Sequence, residues 1–198
     1  LEKYVQESRR LILEGSLPHQ VDAAIQGFGF AMGPFRMYDV VGIDLEWRAR
    51  ELAGQGQDVA QVQVDNRLCE LGRFGQKSGK GYYLYAPGSR QAEHDPQVDA
   101  LVQRESKRLG YARRRIGTEE ILERCLLALV NEGAKILEEK IAANAHDIDL
   151  VYLNGYGFPA DKGGPMAWAD AQGVAQIRQR LLQLAERFGA HWQPAGLI

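Results

Sequence analysis

Long apolar runs are missing from this sequence, and so is any surplus of charge. No stretch approaches the ~20 apolar residues that a membrane-spanning helix needs. The 24 Lys and Arg stand against 26 Asp and Glu, so there is no electrostatic footprint for nucleic acid or an anionic membrane surface. Arg113-Arg114-Arg115 is the densest basic run and reads as a solvated helix entrance. Cysteine is scarce. Cys69 and Cys125 lack the spacing of a metal site and are expected to be buried, reduced thiols in a cytoplasmic setting. No signal-peptide pattern opens the chain. His19, His94, His146 and His191 are scattered, none with a neighbouring nucleophile or ligand set. Ser8 falls in a helical stripe and Ser78 in a Gly-rich turn, neither resembling a nucleophile elbow. A self-contained hydrolase, a zinc module and a nucleic-acid reader are therefore all poor descriptions.

What the sequence does have is an internal echo. LEKYVQESRRLILEG from Leu1 falls opposite LLALVNEGAKILEE from Leu126 without a gap. Glu7 then stands opposite Glu132, and Leu11 opposite Ile136. Short insertions in the second copy bring Asp22 opposite Asp149, Gly29-Phe30 opposite Gly157-Phe158, Gly33-Pro34 opposite Gly164-Pro165, and Asp39 opposite Asp170. A unit of about forty residues occurring twice is too few for a solenoid, which needs roughly three or more. Two copies read as an internal pseudo-dimer, so the expected fold is all-α, with two related helical repeats covering each other's apolar faces. Residues 1–86 form the first repeat, 87–91 a linker and 92–198 the second. Covered this way, the chain is expected to be monomeric.

Periodicity predicts a helix from Leu1 to Glu14, a short one over Val21–Gln26, and one opening at Gly33-Pro34 and running to Val41. Asp44 is placed to cap a helix ending near Gly54, and Asp58 with Gln61 forms a capping box for a helix to about Leu71. GRFGQKSGKGYYLYAPGS breaks the rhythm as a turn and a short extended piece. Helices follow from Asp95-Pro96 to about Leu109 and from Thr118 to about Ala143, then over Pro165–Asp170 and Val174–Phe188. The helix at Thr118 starts well before the point matched by Leu1, so the first copy reads as lacking a turn and a half to two turns, and the chain as a piece of something longer.

Three motifs invite a sharper reading. Leu150–Leu153 followed by Gly155-Tyr156-Gly157-Phe158-Pro159-Ala160 matches strand–GxGxxA on paper. A dinucleotide turn must run straight into a helix, and here Pro159 and Asp161–Gly164 intervene. These glycines are better read as a tight passage between packed helices. GQKSGKG fails the P-loop spacing, leaving Lys77 and Lys80 as turn residues. Glu7 and Glu132 sit beside the apolar stripes of their helices. Each is either a solvated flank or a paired structural acid accepting hydrogen bonds from a neighbouring helix start.

GFGFAMGPFRMYDVVGIDL followed by RFGQKSGKGYYLY resembles the C-terminal helical domain of the 3-hydroxyacyl-CoA dehydrogenases. The second copy, LVNEGAKILEEKIAANAHDIDLVYLNGYGFPADKGGPMAWAD, narrows the likeness to the C-terminal part of multifunctional fatty-acid β-oxidation enzymes, which join enoyl-CoA hydratase/isomerase and 3-hydroxyacyl-CoA dehydrogenase activities. The resemblance implies a helical fold like the C-terminal domain of 6-phosphogluconate dehydrogenase. It also implies NAD-dependent oxidation of an acyl-CoA substrate in the full enzyme, with NAD held by a Rossmann domain that is not among these residues. The family's His base and its Glu belong to that domain, so neither role transfers here. The family's Asn-Arg pair has Glu123-Arg124 as its second-copy counterpart, and Glu123 takes no catalytic role. What the resemblance does imply is an acyl-facing wall from Phe28, Phe30, Met32 and Pro34, in a fragment inactive alone, with no cofactor, metal, nucleic acid or membrane partner of its own. A non-catalytic helical interaction module of the same fold remains the alternative.

Overall fold

The structure, a computed structural model, describes residues 1–54, 56 and 58–198. Among these residues the chain forms helices and turns, with only isolated antiparallel bridges at Gly75–Lys80, Lys80–Leu84 and Leu84–Glu93. The helices are α1 (Glu2–Glu14), α2 (Pro18–Phe28), α3 (Pro34–Val41), α4 (Asp44–Ala53), α5 (Gln63–Glu70), α6 (Pro96–Arg108), α7 (Thr118–Glu138), α8 (Ala145–Gly155), α9 (Pro165–Gln172) and α10 (Val174–Phe188). The all-α expectation holds. Two compact units emerge, one of residues 8–26 and 32–121, the other of residues 1–7, 27–31 and 122–198.

In the unit of residues 8–26 and 32–121, Leu11, Ile12, Leu13, Val21, Ile25, Phe35, Ile43, Val64, Leu68 and Val102 are buried. The C-terminal carbonyls of α1, which no helical amide can reach, are satisfied from the segment after α6. Arg113 donates to the carbonyls of Ile12 at 2.5 Å and of Gly15 and Ser16 at 2.9 Å. Ser106 donates to Leu13 O at 2.5 Å. A Cβ on Gly15 would lie 1.7 Å from the Arg114 carbonyl oxygen, so only glycine permits this approach. These bonds place residues 96–121 in the same compact unit as 8–26, whereas the division of the sequence at 87–91 groups them with the second repeat. Two helix starts also differ from expectation. Asp44 is the first residue of α4, with Ile43 at the cap and no side-chain capping bond. Asp58 caps nothing, because the helix begins as a 3-10 turn at Ala60 with Val59 before it. At the other end of α4, Gly54 closes the helix in the left-handed region at φ 61°.

In the unit of residues 1–7, 27–31 and 122–198, α7 is buried on several faces. Leu126, Leu127, Ala128, Leu129 and Val130 are all buried. Leu127, Ala128 and Val130 join Ala169, Ile177, Leu181, Leu184 and Trp192 in one apolar cluster. Asn131, in the middle of α7, fixes the C-terminal segment: its Nδ2 donates to Gln193 O at 3.0 Å and its Oδ1 accepts from Ala195 N at 2.8 Å. Helix α7 ends at Glu138, not near Ala143. Ile141 N donates back to Ile136 O at 2.9 Å around Lys140, a non-glycine residue at φ 58°. Asn144 then opens α8, its side chain accepting from Asp147 N at 3.0 Å. Sequence reasoning gave no helix there.

Candidate functional site

The α2–α3 connection carries the strongest motif, and one aspartate organises its second half. Asp22, on α2, is almost fully buried. Its Oδ1 accepts from Phe35 N at 2.9 Å; its Oδ2 accepts from Arg36 N at 2.9 Å and from the Tyr83 hydroxyl at 2.7 Å. Phe35 and Arg36 supply free amides in the first turn of α3, so Asp22 caps that helix from a distance; Gly33, the local cap residue, has no side chain to do so. A Cβ on Gly33 would lie 2.3 Å from Asp22 Cα. Pro34 occupies the first turn, where its missing N–H costs nothing.

The GKGYYLY turn is built on a second buried acid. Asp39, on α3, accepts from Tyr82 N at 2.8 Å, Tyr83 N at 2.9 Å and the Tyr85 hydroxyl at 3.0 Å. A Cβ on Gly81 would lie 2.0 Å from Asp39 Oδ1. Burial pushes the Asp22 carboxyl up to about 6 and the Asp39 carboxyl up to about 7, outweighing the donated hydrogen bonds that pull both down. Burial likewise raises the Tyr83 hydroxyl, helped by the negative charge of Asp22, which keeps it a neutral donor. Lys77, in this turn, pairs with Asp44.

The other unit repeats the arrangement. Asp149, on α8, accepts from Met166 N at 2.7 Å and Ala167 N at 3.1 Å, the first amides of α9. Pro165 opens that helix, and a Cβ on Gly164 would lie 2.4 Å from Asp149 Cβ.

The candidate wall residues divide between the units, Phe28 and Phe30 in one and Met32 and Pro34 in the other. Phe30 is buried at 7% exposure, its ring 5.0 Å from Phe158 and stacked at 6.3 Å on Tyr4. Phe28 is half-buried, with Phe158 at 5.9 Å, Trp168 at 6.1 Å and Lys162 Nζ 5.1 Å from its ring centroid. Met32 is half-buried and Pro34 buried. The backbone passes closely here: Ala31 N donates to Gly157 O at 3.3 Å, and a Cβ on Gly29 would lie 2.9 Å from Pro159 Cγ. Pro159 and Lys162, departures from the first copy, thus have defined contacts. Trp168 was not singled out from the sequence, although its place just after Gly164-Pro165 was the available signal.

Leu150–Leu153 lie within α8, so GYGFPA follows a helix rather than a strand. It leads into a 3-10 turn at Ala160–Lys162. The segment therefore does not fit a dinucleotide pyrophosphate, which needs a strand before the glycines and a helix directly after them.

Glu7 is a buried, paired acid rather than a solvated flank, but it pairs with an arginine side chain and not with a helix start. Only 2% exposed, it accepts from Arg124 Nε at 2.6 Å and lies 2.5 Å from Nη2. The Arg124 guanidinium rests 4.2 Å from the Phe188 ring centroid. Its neighbour Glu123 accepts from Arg180 at 2.7 Å. Glu132 instead lines a pocket of about 580 Å³ with Leu1, Ile136, Ile141, Tyr152 and Tyr156. Both cysteines are buried and unbridged, and burial pushes the Cys69 thiol up to about 12, which makes it inert. No described helix is long and apolar enough to cross a membrane. Among the described residues the arrangement shows half-buried aromatic surface at Phe28 and aspartate clamps at helix starts.

Several known proteins are similar to this chain. A family model described as "3-hydroxyacyl-CoA dehydrogenase, C-terminal domain" matches residues 1–85 and 121–197. Over 192 residues the chain is 43% identical to the peroxisomal bifunctional enzyme of Danio rerio, covering 90% of this chain and 27% of that protein. Over 197 residues it is 41% identical to the human peroxisomal bifunctional enzyme, covering 91% of this chain and again 27% of the relative. The chain thus spans well under a third of these relatives. Among solved structures, the dehydrogenase part of multifunctional enzyme 1 from C. elegans aligns over 96% of this chain and 44% of its own, at a TM-score of 0.75 and 26% identity. The 3-hydroxybutyryl-CoA dehydrogenase of Escherichia coli K12 aligns over 98% of this chain and 56% of its own, with a TM-score of 0.70. Its 19% identity speaks for the fold alone.

Proposed function

This chain belongs to the 3-hydroxyacyl-CoA dehydrogenase C-terminal domain family, and from that premise we propose that it is the helical part of a longer enzyme of fatty-acid β-oxidation. That enzyme oxidises a 3-hydroxyacyl-CoA to the 3-ketoacyl-CoA with NAD. The observation that carries the reading is the match of the family model over residues 1–85 and 121–197. The two aspartate clamps agree with it: Asp22 with Gly33-Pro34 and Asp149 with Gly164-Pro165 use the same parts in the same order. This supports reading residues 1–86 and 92–198 as related repeats.

NAD finds no fit in the Gly155–Ala160 segment, so its binding is assigned to a dinucleotide-binding domain elsewhere in the longer enzyme. The contribution of this chain is shape and exclusion of water. Phe28 and Met32, each within its own unit, keep part of their surface open, and each is proposed to offer apolar surface to the acyl chain. Phe30 and Pro34 are the buried members of the set. The second repeat stands in for the partner subunit that a single repeat would need, so the isolated chain is a monomer. The relatives' names point to the peroxisome as the compartment, rather than the cytoplasm at large.

The test is reconstitution. Mixing this chain with the separately produced dinucleotide-binding part of a relative should restore NADH formation from a 3-hydroxyacyl-CoA, with neither part active alone. Stable association of the two parts without any turnover would favour a non-catalytic interaction module instead.

A further inference from the structure

Two of the scattered histidines meet in the folded chain. His19 lies in the first turn of α2, His94 just before α6, and Asp99 in the first turn of α6. All three belong to the unit of residues 8–26 and 32–121. His94 Nε2 is 2.8 Å from Asp99 Oδ2, and His19 Nδ1 is 3.6 Å from Asp99 Oδ1. The imidazole rings meet edge to face with centroids 4.3 Å apart. One ligand atom from each residue lies within 4.8 Å of the others.

A second observation points to something missing between them. His19 Nδ1 is buried, and no hydrogen-bond partner satisfies it. A buried polar atom without a partner calls for a ligand, because its desolvation is otherwise uncompensated. Two imidazoles and a carboxylate form a nitrogen–oxygen donor set suited to zinc and its neighbours in the transition series, and poorly suited to magnesium or calcium. With metal–ligand bonds of roughly 2.0–2.2 Å, tetrahedral ligand atoms sit about 3.4 Å apart. The observed spacings bracket that value, so small side-chain rotations would close the site.

We propose that His19, His94 and Asp99 form a zinc-class divalent metal site that clips the start of α2 to the start of α6. The three ligands leave the fourth position to water, on the side where His94 is half-exposed at 47%. Binding joins two segments far apart in the sequence. The metal therefore stabilises the folded state by the linkage that any ligand specific for that state provides.

The test uses zinc on the metal-stripped chain. One zinc per chain should bind in calorimetry. At a hundredfold excess over its Kd, the melting temperature should rise by about 5 °C or more. Cobalt(II) should give the intense visible absorption of a four-coordinate site. His94→Ala, at an exposed position, and the near-isosteric Asp99→Asn should fold with the parent's circular dichroism yet lose the cobalt band and most of the zinc shift. His146→Ala serves as the control and should keep both. Magnesium should shift neither the parent nor the variants. Zinc binding that survives His94→Ala unchanged would overturn the proposal. So would a parent without stoichiometric binding, which would leave water as the partner of His19 Nδ1.

Discussion

Glu7 and Arg124 form an ion pair removed from water, the carboxylate and the guanidinium both almost fully buried. Arg124 sits in the core helix α7 two residues before the apolar run Leu126–Val130, a position where an unpaired charge would be untenable. Its second face is covered by the Phe188 ring.

Breaking that pair should be costly, whereas replacing it whole should not be. Glu7→Leu removes the carboxylate that faces the buried Arg124 guanidinium and should destabilise the chain by about 3–5 kcal/mol. Glu7→Leu combined with Arg124→Leu should recover most of that loss. Urea unfolding of the two single variants and the double variant measures the coupling. A double variant as unstable as the sum of the singles would mean that the two residues act independently.

The aspartate clamps should matter equally at both places. Asp22→Ala and Asp149→Ala each remove the acceptor for two first-turn amides and should cost about 1–3 kcal/mol. Gly164→Ala should do at least as much harm, since the residue sits at φ 106° and its new Cβ would press on Asp149. Thermal unfolding checks all three.

The pH dependence has a definite sign. Asp22 and Asp39 have carboxyl groups raised by burial, to about 6 and about 7, above the value near 3.8 for the unfolded chain. The folded state therefore takes up protons before the unfolded state does, and these two groups make the chain more stable as pH falls from about 7 towards 4. Above pH 7 that contribution is gone. Asp39→Asn should flatten the upper part of this slope. Denaturation curves at pH 5, 6 and 7.5 would show it, and a parent whose stability falls from pH 7.5 to 5 by more than the variant's would refute it.

Phe28 and Phe30 should separate wall from core. Phe30→Ala empties a buried aromatic site and should cost about 3–5 kcal/mol of stability. Phe28→Ala, at a half-open position, should melt close to the parent. In the longer enzyme it should raise KM for a long-chain 3-hydroxyacyl-CoA several-fold with little change in kcat. If Phe28→Ala lowers only the melting temperature, Phe28 is a core residue as well.

Much of the helical layout is readable from spacing alone, because α1, α3, α6 and α10 carry one apolar stripe each between clear Gly or Pro boundaries. Helix α8 is not readable that way. Leu150 and Val151 are exposed while Asp149 is buried, so apolar character does not follow the buried face. The signal that could have found it was Asn144 with Asp147 three residues on. The Asp58 box misleads for the opposite reason: good local capping chemistry stands in front of a helix that begins later, at a 3-10 turn. At the candidate site, the motifs GPF and GKGYY are plain in the sequence, but the acids that hold them reach across many residues. The pairing of Arg124 with Glu7, and the meeting of His19 with His94, leave no local pattern at all.

Helices α3 and α9 have only 8 residues each, below the roughly 12–15 at which a helix begins to persist in water by itself. Each borrows its first turn from an aspartate on the helix before it, so neither has an independent existence to fray into. The amides of Phe35, Arg36, Met166 and Ala167 should consequently exchange with deuterium as slowly as the deepest parts of their units, although they lie at helix ends, where exchange is ordinarily fastest. Four slow amides at two helix tips would report the loss of a whole unit rather than local fraying.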